Sequence, residues 1–480
     1  MRNYKSYLFL ALALFFVPTL HAEVVLPRVF TSGMVLQQGQ PVPVWGTAAA
    51  GEQITVQFAG QTKKAVADTS GKWQVMLDVL KATVKGRDFT VQGTNTIVLH
   101  DVVVGEVWLC SGQSNMLYEM RKNSKVRKPD SLDKNSPVDE MDRPHSPDIR
   151  LFWVNQKNLK TTGNYLAKWE SATQDSALRS FSAAGYFFAK KLNQELKVPV
   201  GIICAAISGS AIEPWAPYEV FTADPYFRLT GINSKADGKF YHTMIEPLAP
   251  FAIKGFLWYQ GEANMTDDVI YDHKMNALIN SWRKTWNDAA LPFYYVEIVP
   301  YYYSQMKSTA VITPESLPAF WEVQQAALKI PNTGMIITTD LNDDIHNLHP
   351  PYKWEVGRRL ALLALAKSYN KNIVYSGPVY QSMAIKGSTI ELTFANVGKG
   401  LASKDGKPLT WFSIAGADGK FVKADAVIDG NKVIVSSPEV TNPAAVRFAW
   451  SEDAQPNLFN KDGLPAAPFR TNNPIKFSPN

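Results

Sequence analysis

Cysteine is scarce in this chain, since only Cys110 and Cys204 occur among its 480 residues. A secreted disulfide scaffold has many more cysteines in a much shorter sequence, so that class of protein is excluded. Both cysteines lie in apolar runs that are typical of buried strands. The sequence therefore predicts two buried free thiols rather than a bridge between them.

Clustered charge and long hydrophobic runs are lacking as well. The formal net charge is +6, and the charged residues are scattered along the sequence, which gives no basic surface of the kind that binds nucleic acid. Beyond the first 22 residues no apolar run is long enough to cross a bilayer. No repeat or low-complexity tract is visible. We expect ordinary globular domains with no nucleic-acid partner, no membrane span and no cofactor; the oligomeric state stays open.

The first 22 residues have the pattern of a secretory signal peptide. Arg2 and Lys5 precede an apolar run over residues 8–17, and the small residue Ala22 ends the segment. A membrane anchor fits less well, because the apolar run is short and Pro18 ends it. Cleavage after Ala22 would lower the formal net charge to +4 and would give a periplasmic or secreted protein.

The pattern of the sequence changes twice along its length, and 480 residues are too many for one compact core. Residues 23–104 hold short alternating runs separated by turns, which predict an N-terminal β-sandwich-like domain. Residues 105–372 alternate buried apolar runs with amphipathic stretches, so an α/β domain with a parallel sheet and helices on both faces is predicted. Residues 373–480 return to short alternating runs and predict a second β domain.

Within the α/β domain, the first strand is predicted to lead into residue 112 and a long polar loop is predicted at residues 121–147. Further strands are predicted at 149–154, 198–206, 253–259, 292–298 and 335–339, and helices at 180–196, 271–286, 320–328 and 353–368.

The segment at residues 107–116 (VWLCSGQSNM) has the pattern of a buried strand, a sharp turn at Gly112 and the start of a helix. Such a turn exposes the hydroxyl of Ser114 beside backbone N–H groups, as an acyl-transfer nucleophile requires. A serine that only caps the helix fits this segment equally well. The segment also lacks the Gly-x-Ser-x-Gly pattern of the α/β-hydrolases.

Polar residues follow four of the predicted strands. They are Ser114, Gly209 in the segment ISGS, Asn264 in the segment QGEAN, and the histidines of residues 340–350. Ligands of a parallel sheet bind at the carboxyl ends of its strands, so these residues are expected to meet. Each one alone fits a loop or a helix cap, but four strand ends with Ser, Gly, Asn and His in this order favour an active site.

The motifs at residues 111–116 and 258–264 (WYQGEAN) resemble the sialate O-acetylesterase family of SGNH hydrolases. The resemblance extends to residues 34–37 and 457–470, so it covers nearly all of the mature chain. It implies a flavodoxin-like hydrolase core flanked by β domains, and a serine esterase that removes acetyl groups from carbohydrates. The first expected substrate is 9-O-acetylated sialic acid, and acetylated xylan or another plant glycan is the alternative.

The resemblance also implies roles for single residues. Ser114 would be the nucleophile, and the backbone N–H groups of Ser114 and Gly209 with the side-chain amide of Asn264 would form the oxyanion hole. About three preorganised donors are what a tetrahedral intermediate needs. Glu262 is expected to orient a loop through backbone hydrogen bonds rather than to react.

The base is expected to be His349, because the stretch that begins there (HPPYK) resembles the His-Pro stretch of the family. His346 competes with it, since Asp343 stands three residues earlier in the usual SGNH arrangement. Asp344 is the expected partner of the imidazole, and Asp343, Asp340 or a backbone carbonyl are the alternatives.

Two other classes of function fit parts of the sequence. Asp343, Asp344, His346 and His349 could bind the metal of a metallohydrolase, but regular ligand spacing is lacking and Ser114 would have no role. A carbohydrate-binding protein without activity could stack sugars on its tryptophans, which core packing explains equally well. Loss of activity in a chelator would favour the metal, and labelling of Ser114 by an organophosphonate would favour the esterase.

Overall fold

The computed structural model describes residues 23–125, 137–160, 165–230, 237–267 and 270–474. The proposed signal peptide and part of the predicted polar loop at 121–147 lie outside these ranges. Within them, no helix combines the length and the apolar character that a membrane span requires.

The N-terminal region consists of short antiparallel strands, and alternating burial explains why they form. In Gln53–Phe58, for example, Ile54, Val56 and Phe58 are buried while the residues between them face outward. The predicted strands of this region are confirmed. They are β1 (Val35–Gln37), β2 (Val42–Thr47), β3 (Gln53–Phe58), β4 (Gln61–Val66), β5 (Lys72–Leu77), β6 (Thr83–Gln92) and β7 (Thr96–Gly112). β3 pairs with β4 and β6, β6 pairs with β7, and β2 and β5 form a separate pair.

The middle of the chain forms a mixed α/β region around a mostly parallel sheet. Its further strands are β8 (Ile149–Val154), β9 (Trp169–Ser171), β10 (Val200–Ala206), β11 (Gly255–Tyr259), β12 (Phe293–Val296) and β13 (Thr333–Ile336). The strand order is β13-β12-β11-β7-β10-β8-β9, and every neighbouring pair is parallel except β8 and β9 at the edge. The central strands are buried along their whole length, as the continuous apolar runs predict.

Helices cover both faces of this sheet. They are α1 (Ser114–Leu117), α2 (Asp175–Arg179), α3 (Ala183–Leu196), α4 (Tyr218–Ala223), α5 (Pro225–Thr230), α6 (Ile270–Thr285), α7 (Ser316–Ala326) and α8 (Lys353–Lys367). Residues of α3 and α8 share one hydrophobic core, and residues of α6 and α7 belong to another. The second core continues into the N-terminal strands, where Phe30 packs against Phe251 with ring centroids 5.4 Å apart.

Two predicted elements are displaced along the chain. The strand expected at 335–339 spans Thr333–Ile336, and in the segment that follows the hydroxyl of Thr338 donates to the carbonyl of Glu297 at 2.8 Å. The helix expected at 320–328 begins at Ser316, and Pro318 fits its first turn, where no N–H partner is required.

The strand β7 runs through two regions. Its first half pairs with β6, from Thr96 opposite Gln92 to Val104 opposite Thr83, and its second half lies between β10 and β11. The boundary proposed between residues 104 and 105 therefore falls inside one continuous strand.

A second β region with its own core ends the chain. Its strands are β14 (Val379–Lys386), β15 (Thr389–Ala395), β16 (Leu401–Ser403), β17 (Phe412–Ala415), β18 (Val422–Lys423), β19 (Asp425–Asp429), β20 (Lys432–Ser436), β21 (Ala445–Phe448), β22 (Leu458–Asn460) and β23 (Phe469–Arg470). Two four-stranded sheets, β14-β15-β20-β19 and β18-β17-β21-β23, dominate it.

Cys110 on β7 and Cys204 on β10 stand opposite each other in the parallel ladder. Both are buried and carry free thiols, which confirms the prediction. Burial and the neighbouring thiol raise the pKa of Cys110, so it behaves as a small apolar side chain.

Candidate active site

The turn that presents Ser114 depends on the close approach of two strands. β7 ends at Gly112, which has a φ of +135°, and a Cβ at this position would lie 2.1 Å from the carbonyl oxygen of Tyr259 at the end of β11. Only glycine combines this backbone angle with such a contact. The chain then turns, and α1 begins at Ser114, while the N–H groups of Met116 and Leu117 already donate to the carbonyl of Gln113.

The hydroxyl of Ser114 lies 2.7 Å from Nε2 of His349. His349 belongs to the loop between β13 and α8, and its backbone N–H donates to Oδ1 of Asn347 at 2.9 Å. Burial lowers the pKa of His349, and the charges of Lys353 and Lys122 lower it further. The imidazole is therefore mostly neutral at neutral pH, and a neutral imidazole at this distance is able to accept a proton from a hydroxyl group.

The other candidates for the base and its partner have different contacts. His346 is exposed and lies beside the ring of Tyr302, with centroids 4.9 Å apart. Oδ1 of Asp344 accepts from the backbone N–H of His346 at 3.1 Å, and Asp340 is paired with a buried arginine. Among the described residues, no hydrogen bond or ion pair joins a carboxylate to the ring of His349.

Asp340 forms an ion pair with a residue of α8. Its two oxygens each lie 2.7 Å from the guanidinium of Arg359 on α8. Burial alone would raise the pKa of Asp340, but the guanidinium outweighs it and the pKa is lowered.

The proposed donors of the oxyanion hole differ in their surroundings. Gly209 lies in the turn after β10 with a φ of +68°, it is exposed, and its N–H donates to no other described group. The amide nitrogen of Asn264 donates to Glu213 at 3.1 Å and to Asp267 at 2.7 Å. Both of its hydrogens are thus engaged with carboxylates, and an oxyanion at this amide would have to replace one of them.

A buried ion network holds Asn264. Lys274 on α6 lies 2.8 Å from Glu213 and 2.6 Å from Asp267, the two carboxylates that accept from the asparagine. The amide oxygen of Asn264 accepts from the backbone N–H of Ile212 at 2.9 Å and from Gln260 at 2.7 Å. Ile212 and Glu213 lie on a different segment from Asn264, so the sequence pattern did not indicate their contacts with it.

These strand ends can be compared with known proteins. A model of the family described as carbohydrate esterase, sialic acid-specific acetylesterase, matches residues 104–366. The chain belongs to this family. Family membership makes it a carboxylic ester hydrolase, and it confirms the resemblance found in the motifs.

Relatives of this esterase extend the likeness beyond the matched region. The chain is 27% identical to the sialate O-acetylesterase of Rattus norvegicus, with 91% of this chain and 92% of that protein covered. It is 27% identical to the Homo sapiens enzyme of the same name over 73% and 72% of the two chains. A solved carbohydrate acetylesterase from Xanthomonas citri is 34% identical and has a TM-score of 0.81, with 94% of this chain and all of that chain covered.

A buried lysine that was not predicted from the sequence lies at this candidate site. Lys353 is fully buried, and its amine donates to the carbonyl of Pro350 at 2.7 Å and to Oδ1 of Asn115 at 2.8 Å. Glu262 has the expected hydrogen bonds to backbone groups, those of Gly261 and of its own residue, and its Oε1 also accepts from the side chain of Asn115 at 2.5 Å. The sequence did contain one indication of a special role for Lys353. It is the first residue of α8, and a cation is disfavoured at a helix N-terminus unless other contacts stabilise it there.

The carboxylates and histidines of the loop at 340–350 do not gather around a common point. In the part of the chain that the structure describes, no group of three or more His, Cys, Asp or Glu residues could hold a metal ion.

Proposed function

We propose that this esterase removes O-acetyl groups from carbohydrates through an acyl-enzyme formed at Ser114. The observation that carries the proposal is the 2.7 Å contact between the serine hydroxyl and Nε2 of His349 at the carboxyl edge of the parallel sheet. Serine within hydrogen-bond reach of a neutral imidazole is the basic unit of nucleophilic acyl transfer.

In the proposed reaction, His349 takes the proton of the Ser114 hydroxyl as Oγ attacks the acetyl carbonyl. The tetrahedral intermediate collapses, the bond between the acyl carbon and the sugar oxygen breaks, and the imidazolium gives its proton to the sugar oxygen. A water molecule, deprotonated by the same imidazole, then attacks the acetyl-serine. Acetate leaves and the free serine is restored, so the imidazole alternates between base and acid.

We further propose an SGNH-type, flavodoxin-like core and the oxyanion hole that goes with it. Without the edge strands β8 and β9, the order β10-β7-β11-β12-β13 is 2-1-3-4-5 in chain order, which is that of flavodoxin-like folds. Ser114 and Gly209 would give backbone N–H groups. Asn264 would give the third donor once substrate displaces one of its carboxylate contacts.

We assign Asp344 an indirect role in this site. Its carboxylate accepts from the N–H of His346 and so stabilises the loop that carries His349. The ring of His349 needs no direct bond to Asp344 under this assignment.

The substrate class follows from the relatives. The matched family is described as sialic acid-specific and the mammalian relatives are named sialate O-acetylesterases, which supports acetylated sialic acid, with the 9-O-acetyl ester as the first choice. The Xanthomonas citri relative is named only as a carbohydrate acetylesterase, which specifies no sugar. Acetylated xylan or another plant glycan therefore stays the second candidate.

A panel of acetate-release assays tests both the proposed nucleophile and the proposed substrate. The purified enzyme is assayed on 9-O-acetylated sialic acid, acetylated xylo-oligosaccharides and a small aryl acetate, each with the Ser114→Ala variant beside it. We expect release from all active substrates to fall by several orders of magnitude in the variant. A variant that keeps a tenth of the wild-type rate, which corresponds to a barrier only about 1.4 kcal/mol higher, would refute Ser114 as the nucleophile. The sugar ester that the wild-type enzyme hydrolyses fastest decides between the two candidate substrates.

We also propose that residues 1–22 direct export and are removed. Expression in a bacterium, followed by fractionation and N-terminal sequencing, should find the protein outside the cytoplasm with Glu23 as its first residue. An intact cytoplasmic chain would contradict this.

A further inference from the structure

The loop segment around His349 is held from below by two buried side chains. The amine of Lys353 donates to the carbonyl of Pro350 at 2.7 Å, and the amide of Asn115 donates to the carbonyl of Leu348 at 3.1 Å. The residues before and after His349 are therefore both bound through their backbone oxygens.

The same two side chains connect this segment to the nucleophile. Asn115 directly follows Ser114, and its Oδ1 accepts from the amine of Lys353 at 2.8 Å. Ser114 and His349 are 235 residues apart in sequence and their side chains lie 2.7 Å apart. The turn that carries Ser114 and the loop that carries His349 (the histidine loop) are thus also joined through Asn115 and Lys353.

The described residues offer no carboxylate to the ring of His349, and in a Ser-His-Asp triad that carboxylate holds the imidazole in place. We propose that Lys353 and Asn115 are positioning residues that hold His349 against Ser114 through the backbone on both sides of the histidine. The inference rests on the proposed esterase chemistry, and it assigns these two side chains the orienting task that the triad gives to an aspartate.

The surroundings of Lys353 explain why an amine can serve here. Its Nζ lies 5.0 Å from the ring centroid of Tyr118 and 5.3 Å from that of Tyr259, so aromatic faces surround the cation. Burial lowers the pKa of Lys353 to about 7, although the charge of Glu262 opposes that change. We call the hydrogen bonds of Lys353 and Asn115 to the backbone on both sides of His349 the clamp. The amine of Lys353 donates hydrogen bonds in either protonation state, so the clamp does not depend on its charge.

Lys353 has a second, electrostatic effect that can be separated from the clamp. Among the residues that the structure describes, the charged groups that act on the imidazole of His349 are Lys353 on α8 and Lys122 on the short 3-10 helix Met120–Lys125, and both lower its pKa. Glu262 acts through Lys353, whose charge it stabilises. Lys122 is exposed and donates no hydrogen bond to the histidine loop, which makes it a matched control for loss of charge alone.

The test compares Lys353→Met with Lys122→Met in full pH profiles of kcat on an aryl acetate. We expect Lys353→Met to lower the high-pH plateau about 10²-fold, as a misplacement of about 1 Å does, and to move the acid limb to higher pH. Lys122→Met should move the acid limb slightly and keep the plateau within about twofold. An unchanged plateau in a folded Lys353→Met variant would overturn the proposal.

Asn115→Ala supplies an independent variant, because Lys353 is retained while the bond to Leu348 is lost. We expect a similar fall of the plateau, and a double variant that loses much less than the product of the two single effects, because both side chains act on one segment. Multiplicative losses would overturn the shared clamp. Thermal unfolding of each variant identifies those that fold, and if Lys353→Met does not, the plateau of Asn115→Ala decides: one within about twofold of wild type refutes the clamp.

Failure of the esterase mechanism would be seen differently from failure of the clamp. If wild type and Ser114→Ala release acetate equally, the proposed nucleophile is wrong. If activity depends on Ser114 while Lys353→Met and Asn115→Ala keep the plateau, only the positioning inference is wrong.

Discussion

Substitution of Gly112 by alanine should damage the site, because this residue forms the turn that leads to Ser114. The new Cβ would lie 2.1 Å from the carbonyl oxygen of Tyr259, whereas ordinary C···O contacts are about 3.3 Å. The ends of β7 and β11 would have to separate by about 1 Å. Since Ser114 follows two residues later, we expect kcat to fall about 10²-fold, the usual effect of a misplacement of that size.

The stability of Gly112→Ala should fall as well. A φ of +135° is open almost only to glycine, so the backbone strain costs about 1–3 kcal/mol, and crowding against β11 adds about 1–3 kcal/mol. Gly60→Ala is the matched control, because Gly60 has a φ of +81° but no atom within 4 Å of its Cβ position. It should lose only about 1–2 kcal/mol and keep full activity.

Thermal unfolding and acetate release from an aryl ester measure both effects on the same samples. The reasoning is refuted if Gly112→Ala is no less stable than Gly60→Ala and keeps kcat within twofold of wild type.

Further predictions concern the loop after β13. His349→Ala should nearly abolish acetate release, while His346→Ala should cost about tenfold at most; the reverse result would make His346 the base. Because burial lowers the pKa of His349, wild-type kcat/KM should rise with pH in a step below pH 6.5, and a midpoint above that value would contradict the buried base. Asp344→Asn should change kcat less than tenfold, and a dead variant would show a direct role on the imidazole. Asp340→Ala should lower the free energy of unfolding by about 2–3 kcal/mol, since Arg359 would lose one of its two carboxylate partners and keep Glu355, and denaturant melts measure this. Because the pKa of Asp340 is lowered on folding, its contribution should persist above the unfolded pKa of about 4 and disappear as the pH falls through the folded value.

The part of the site that could be predicted from the sequence consists of residues that follow neighbouring strands, because the carboxyl ends of parallel strands lie at one edge of the sheet. Apolar runs fix where β7, β10 and β11 end, so the residues that follow them, Ser114 and Gly209 among them, could be placed on one side of the sheet without coordinates. The choice of His349 over His346 came from the family resemblance, and the structure places His349 beside the serine.

The partners of these residues could not be predicted, because each contact joins distant segments. Asn115 meets Glu262 and Leu348 across 147 and 233 residues, and hydrophobic periodicity says nothing of such pairs. The sequence pattern also misleads at Asp344, where a carboxylate near a histidine suggested a bond to a ring. A short polar side chain bonds the backbone two residues on just as readily, and that is the contact observed.

The continuous strand β7 has a consequence for the order in which the chain acquires structure. During synthesis, residues 96–104 can pair with β6 before β10 and β11 have been made. The second half of β7 would then extend from an existing sheet as a template, with β10 added on one side and β11 on the other. We expect the N-terminal strands to act as the nucleus on which the catalytic sheet grows, so that weakening β6 slows refolding of the nucleophile turn more than it alters the finished site.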